Sequence, residues 1–509
     1  MRRNAPLALV ASLAIAATMI VATPAAADST TAGVAPTSAP RSLAPAALAE
    51  PDEPSALTPV APAAPDGPTV AELAAGDVLR LAGLDRYATA IEVSKIYDPG
   101  VPAVFVATGT NFPDALSAAS AAALFGGPLL LTPTAALPQA VYDEIDRLQP
   151  EVIAVIGRAP VVSDAVVKKL QTLAPTVRLG GIDRYATGLA VVQSTFEWAT
   201  DAVIATGRTF PDALSATGAA GAIGAPVILV DGKLSRVSQA VLDTLRELGV
   251  ERVHIAGSAG AVSSGIQSHL SSAGFVVARY GGTDRYQTAA IVNDAFFPAG
   301  STDTIFLATG TNFPDALSGA ALAGAVGAPL YITAPGCVPD VVRTSVSALG
   351  ASLAVVMGGT SVVSDAAAAN YGCLNPAIPT ISGTPKAGYT LTANPGAWTP
   401  GASMSYVWYA NGSPLGGGET LPLTEWLVGK RITVSVTASL EGYVSATRTS
   451  QPTAPIASAI PSTQHYPNPV TAGAYCAKQY EGWHAHTSTG VRVKCMTSPT
   501  DTRLRWRAI

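Results

Sequence analysis

One stretch of this chain occurs three times. Arg80-Leu-Ala-Gly-Leu-Asp-Arg-Tyr-Ala-Thr returns in near copy from Arg178 and from Arg279, at offsets of 98 and 101 residues. Ala107-Thr-Gly-Thr-Asn-Phe-Pro-Asp-Ala-Leu-Ser returns from Ala205 and Ala308, at offsets of 98 and 103. The Pro-led aliphatic triplets Leu129 to Leu131, Val227 to Leu229 and Leu330 to Ile332 keep the same order, as do the segments from Gly157, Gly257 and Gly358 to the following Val-Ser. A unit of about 100 residues has the size of a domain, whereas solenoid repeats are far shorter.

Within the first copy, apolar runs at 103–108, 128–132, 151–156 and 177–179 alternate with helix-length segments at 85–97, 113–125, 138–148 and 163–173. The runs lack polar alternation, which predicts strands buried on both faces. Strand and helix in alternation predict right-handed βαβ units around a parallel sheet. The segment from Ala115 to Ala123 is Ala and Ser on nearly every face, which lets it lie very close to a sheet or a neighbouring unit.

Gly-x-Asp-Arg-Tyr-x-Thr, Ala-Thr-Gly-x-x-Phe-Pro-Asp-Ala-Leu-Ser, the aliphatic triplet and Gly followed by Val-Ser together resemble the cell wall binding repeat 2 family of Gram-positive surface proteins. The resemblance runs from about Val78 to Asn375. It implies three Rossmann-like α/β repeats in a pseudo-threefold arrangement, binding an anionic cell-wall polysaccharide or teichoic-type polymer without a covalent bond.

Two repeated carboxylates and one arginine are the candidate polymer-binding residues. Asp114, Asp212 and Asp315 follow a strand and open a helix. The structural reading is a variant capping box, with Asn111, Thr209 or Asn312 as cap and an early Pro. The functional reading is an oriented ligand site at a strand's carboxyl end and a helix N-terminus. Asp85, Asp183 and Asp284 are cap candidates as well. The adjoining Arg86, Arg184 and Arg285 either pair with a capping Asp or present a planar fork to carboxylate or phosphate. The copies are unequal: Ser264 stands where Asp164 and Asp365 do, and Arg208 where Thr110 and Thr311 do, so the second repeat is expected to bind differently or not at all.

No catalytic motif is found: there are five His, no Gly-x-Ser-x-Gly, no His-Glu-x-x-His, no phosphate loop and no Gly-x-Gly-x-x-Gly, so no cofactor and no catalytic residue are assigned. A net charge of -5 with 13% charged residues excludes a polybasic nucleic-acid binder. Arg2 and Arg3, the apolar run Ala8 to Val21 and Ala25 to Ala27 have the layout of a secretory signal peptide, so a secreted protein held at the cell wall or surface is expected. No later stretch reads as a membrane span.

The domains expected are a signal peptide at 1–27, a disordered linker rich in Ala and Pro at 28–75, repeats at 76–177, 178–278 and 279–375, and an Ig-like β-sandwich at 376–456. A linker at 457–470 and a small two-Cys module at 471–509 follow. The sandwich is read from alternation in Ser405 to Tyr409 and Arg431 to Thr437, and it resembles the Ig-like repeats of actinobacterial surface proteins, either as a spacer or as an adhesin with a surface ligand. The last segment sets six basic residues against Glu481 and Asp501 and so suits an anionic wall. Four Cys allow three pairings; Cys337 with Cys373 and Cys476 with Cys495 is the simplest. The sequence argues against a zinc site from Cys476, His484, His486 and Cys495, because a Cys-x-x-Cys spacing is missing. The sequence thus reads as a non-enzymatic envelope protein, the alternative being a hydrolase or small-molecule binder using the carboxyl-end crevices of the repeats.

Overall fold

The computed structural model describes residues 38–40, 77–111, 113–459 and 465–509, which divide into two units between Asn370 and Tyr371. The signal-peptide reading at 1–27 falls outside the described residues.

The first unit begins with β1 (Ser38–Pro40), β2 (Asp77–Leu81), α1 (Arg86–Ser94), β3 (Ala103–Thr108), α2 (Pro113–Leu124), β4 (Leu129–Thr132), α3 (Gln139–Leu148), β5 (Val152–Ile156) and α4 (Asp164–Leu170). It goes on through β6 (Thr176–Leu179), α5 (Arg184–Thr195), β7 (Phe196–Ala199), β8 (Asp201–Thr206), α6 (Pro211–Ala222), β9 (Val227–Val230), α7 (Gln239–Glu247), β10 (Arg252–Ala256) and α8 (Ser264–Ser272). It closes with β11 (Val276–Tyr280), α9 (Arg285–Phe296), β12 (Thr304–Thr309), α10 (Pro314–Ala325), β13 (Leu330–Thr333), α11 (Asp340–Leu349), β14 (Leu353–Met357) and α12 (Asp365–Ala368). Every element expected in the first copy is present within a few residues. Of the segment read as a disordered linker only residues 38–40 are described, and there β1 pairs antiparallel with β7.

The strands form three parallel four-stranded sheets, ordered β4-β3-β5-β6, β9-β8-β10-β11 and β13-β12-β14-β2. β3, β4, β5, β8 and β9 are buried at every residue, as expected of strands covered on both faces. The sheets are offset by one strand from the sequence repeats. The strand that opens each sequence copy completes the sheet of the copy before it, and β2, at the start of the first copy, completes the sheet of the third. The ring of sheets is closed through chain segments nearly 300 residues apart.

The helices α2, α6 and α10 are buried on almost all sides and pack on one another. Ala123, Gly221 and Gly324 occupy the equivalent position in the three copies and meet there: a Cβ on Gly221 would fall 2.5 Å from Gly324 Cα and 3.0 Å from Ala123 Cβ. Small residues on every face are what let three helices converge. The opening helix of each following copy packs against this trio, α5 on α2, α9 on α6 and α1 on α10.

The second unit contains β15 (Gly372–Cys373), β16 (Thr380–Ser382), β17 (Thr390–Asn394), β18 (Ser403–Ala410), β19 (Ser413–Gly417), β20 (Thr420–Pro422), β21 (Ile432–Ser439), β22 (Tyr443–Val444) and β23 (Ala446–Thr449). The antiparallel sheets β16-β17-β20 and β19-β18-β21-β23 share a core of Leu391, Trp408, Leu427, Ile432 and Val434. A meander of β24 (His484–His486), β25 (Arg492–Ser498) and β26 (Asp501–Ala508) has its own core around Trp506. The segment 457–470, read as a linker, is engaged at both ends: Ser458 donates to Glu425, and the Tyr466 and Val470 amides donate to His484 and His486 carbonyls.

Cys476 and Cys495 form a disulfide, and Cys337 and Cys373 are both disulfide-bonded. That removes the thiolates a zinc site at Cys476 and Cys495 needs. Among the described residues no helix is long and apolar enough to cross a membrane.

Candidate functional site: the seams between repeats

Each opening helix is capped by its Asp. Asp85 accepts from the Tyr87 and Ala88 amides at 2.9 Å, Asp183 from Tyr185 and Ala186 at 2.9 and 2.8 Å, and Asp284 from Gln287 at 2.8 Å. This bond satisfies helix-end donors that have no intrahelical partner. These three carboxylates are structural caps, and Asp183 in addition lines a crevice.

The next residue points inward. Arg184 Nη1 donates to the Gly207 carbonyl at 2.7 Å, and Arg86 and Arg285 donate in the same way to Gly109 and Gly310, at the carboxyl ends of β3 and β12. The neighbouring tyrosine explains those glycines: a Cβ at Gly109, Gly207 or Gly310 would fall 2.7–2.8 Å from the ring of Tyr87, Tyr185 or Tyr286. The expected pairing of the arginines with a capping Asp is not what forms; the backbone carbonyl takes the guanidinium instead.

Asp114, Asp212 and Asp315 are brought to the same seams by the starts of α2, α6 and α10. The capping-box reading fails for α6 and α10. The cap residues of α6 and α10 are Phe210 and Phe313, which offer no side-chain cap bond, so the Asp stands in the first turn with the helix N-terminus beside it. Burial pushes the carboxyls of Asp114 and Asp212 up to about 6 and that of Asp315 in the same direction. The opposing pull comes from the following repeat: Arg184 on Asp114, Arg285 and then a Thr288 hydrogen bond on Asp212, and a Thr89 hydrogen bond and then Arg86 on Asp315. The arrangement is cyclic, one repeat's Asp lying within the electrostatic reach of the next repeat's Arg, the third closing on the first. Arg86 also lies over the Phe313 ring and Arg285 over the Phe210 ring, each 5.9 Å from the centroid.

Gly157, Gly257 and Gly358, all at positive φ, make room for these carboxylates. A Cβ there would stand 3.0, 2.7 and 2.7 Å from the Oδ2 of Asp114, Asp212 and Asp315. The seam between the first and second repeats opens as a crevice of about 460 Å³. Thr110, Asp114 and Arg158 line it from one side, and Gly181, Arg184 and Thr187 from the other. Such an arrangement of helix N-terminus, guanidinium and hydroxyls suits an oxyanion, with the buried Asp able to supply a proton.

Sequence reasoning gave no role to a second set of arginines. Arg178 donates to the Gly157 and Val162 carbonyls and pairs with Asp164 at 3.0 Å, and Arg80 does the same with Gly358, Val363 and Asp365. Their presence in all three copies was the signal. Arg279 holds Gly257 and Val262 but turns to Gln267 at 2.8 Å, which is how the second copy accommodates Ser264. The other departure of that copy is also paired: Arg208 meets Asp231 through two contacts, Nε to Oδ1 at 2.5 Å and Nη2 to Oδ2 at 2.8 Å, where Thr110 and Thr311 bond to Thr108 and Thr309.

The family model of cell wall binding domain 2 matches three times, at residues 80–167, 178–267 and 279–368. The chain belongs to the cell wall binding domain 2 family. It is 27% identical over 294 residues to N-acetylmuramoyl-L-alanine amidase LytC of Bacillus subtilis, a match covering 57% of each chain. It is 27% identical to the amidase enhancer of the same organism, over 56% of this chain and 39% of that one. Among solved structures it resembles Cwp6 from Clostridium difficile with a TM-score of 0.54 and 26% identity, covering 60% of this chain and 50% of that one. Cwp8 from the same organism gives a TM-score of 0.52 at 27% identity, over 57% and 50%. The chain thus spans 57% and 39% of the lengths of these two curated relatives, and the family places it among cell-wall-binding proteins.

Proposed function

We propose that this chain is a secreted, non-enzymatic envelope protein that holds an anionic wall polymer in the three seams between its repeats and displays the C-terminal β modules. The observation that carries the reading is the threefold recurrence of one junction, Asp114 with Arg184, Asp212 with Arg285 and Asp315 with Arg86, each beside a helix N-terminus. Near-identical sites in a ring fit multivalent capture of a repeating polymer, since linked weak sites gain avidity without new contacts. Catalysis calls instead for groups whose environments drive their pKa values apart, and here the carboxyls shift in one direction. The amidase named among the relatives is matched over only part of its length, so its activity is not carried over.

In this reading Arg86, Arg184 and Arg285 provide positive charge, the helix starts provide amides, and Asp114, Asp212 and Asp315 set the pH at which the seam tolerates an anion. The caps Asp85, Asp183 and Asp284 hold the arginines in place. The test is retention on purified wall before and after removal of its secondary anionic polymers. Retention that persists after their removal would contradict the assignment.

A further inference from the structure

The second unit has a cleft of about 920 Å³ between the turn at Glu425–Leu427 of the two-sheet module and the hairpin turn at 487–491 of the meander, a volume in the range of ligand pockets. Trp426 belongs to the core of neither module and is 49% exposed on the cleft wall. It is fixed there. The residue before it, Glu425, is buried and accepts from Ser458 Oγ at 2.8 Å and from the Ala459 amide at 2.9 Å, while Leu427 is anchored in the core. The Lys430 ammonium stands 4.0 Å from the indole centroid.

The opposite wall is equally ordered. Thr487 accepts from the Val491 amide at 3.0 Å and bonds Thr489 Oγ1 at 2.9 Å, and Gly490 turns the chain at φ 81° to pass close to Trp426. At the base, His465 Nε2 and His486 Nδ1 stand 3.2 Å apart, and His486 Nε2 is buried without a protein partner. Burial and the neighbouring His465 lower the pKa of His486, which keeps that ring neutral near pH 7.

We propose that this cleft binds a neutral oligosaccharide. An aromatic plate facing hydroxyls and a hydrogen-bonding imidazole matches a sugar ring, which has an apolar C–H face and a rim of hydroxyls. The charges argue for neutrality: the carboxylate of Glu425 is occupied by two donors of the protein, and the one lysine on the wall lies on the indole. The inference stands apart from the polyanion reading of the repeats, and its outcome does not depend on that one.

Calorimetric titration of the full-length protein with neutral trisaccharides of glucose, galactose and N-acetylglucosamine tests it. Saturable binding of at least one is expected, weakened about tenfold or more by Trp426→Ala and by Thr489→Arg, and kept within about threefold in Trp426→Tyr. Thr489 lies on an exposed turn, so its variant reports on the cleft even where the Trp426→Ala protein fails to fold. No saturable binding of any of the three, binding unchanged in Thr489→Arg, or tighter binding of a uronic-acid trisaccharide overturns the proposal.

Discussion

Arg80 donates from Nη1 to the carbonyl of Gly358 at 2.8 Å across a sequence separation of 278 residues. The bond, with Arg80 to Val363 at 2.9 Å and the pairing of β2 with β14, ties the first repeat to the third and closes the ring. Removing residues 77–81 takes the fourth strand from the third sheet alone. The expected result is loss of amide-exchange protection in β14, with β5 and β10 protected as before; equal loss in all three would show that closure is not local.

Where Ala123, Gly221 and Gly324 converge there is no space for a larger side chain. Gly221→Val should destabilise the first unit by about 1–3 kcal/mol, the usual cost of overpacking. A lowered Tm of the repeat unit, with an unchanged C-terminal unit, is the expected reading in calorimetry.

The raised carboxyls of Asp114 and Asp212 have a definite sign. With a folded pKa of about 6 against an ordinary 3.8, the folded protein binds more protons than the unfolded one between those values. Stability contributed by these groups therefore rises as pH falls from about 6 toward 4 and is absent above about 7. Protonation also removes a negative charge beside Arg184 and Arg285, so wall retention should strengthen as pH falls through about 6. Asp114→Asn with Asp212→Asn should flatten that dependence in a binding series from about pH 7.5 to about pH 5, which brackets the titration of both carboxyls.

How much of this was legible beforehand can be seen at particular residues. The helix at Arg86–Ser94 and its cap Asp85 followed from motif and capping chemistry, and the buried strand at Ala103–Thr108 from its unbroken apolar run. The seam was not legible. Asp114 and Arg184 lie 70 positions apart and in different copies, and nothing local distinguishes a first-turn Asp that caps from one that faces a neighbouring repeat. The same limit hid the offset of the sheets, because a strand's own sequence does not say which sheet it joins. In the second copy, Ser264 looked like a lost binding residue, yet the structure shows its counterparts Asp164 and Asp365 in exposed ion pairs, with Gln267 taking the arginine here.

Removing the Cys476–Cys495 bridge by Cys476→Ser with Cys495→Ser, which leaves the disulfide-bonded Cys337 and Cys373 unaltered, should act on the C-terminal module alone. Closing a loop of this length is worth about 3 kcal/mol in the chain-entropy view, so the Tm of the meander should drop while wall retention is unchanged. Loss of retention in that double variant would move part of the anchor to this basic end.

The most direct test of the anchoring account is the triple substitution Arg86→Ala, Arg184→Ala and Arg285→Ala, measured for retention on purified wall against the unaltered protein. Each arginine holds one backbone carbonyl, so a modest stability loss of about 1 kcal/mol per site is expected and is followed in parallel by circular dichroism. The account predicts a native spectrum with retention lost at salt concentrations where the unaltered protein stays bound. Native folding with undiminished, polymer-dependent retention would contradict it.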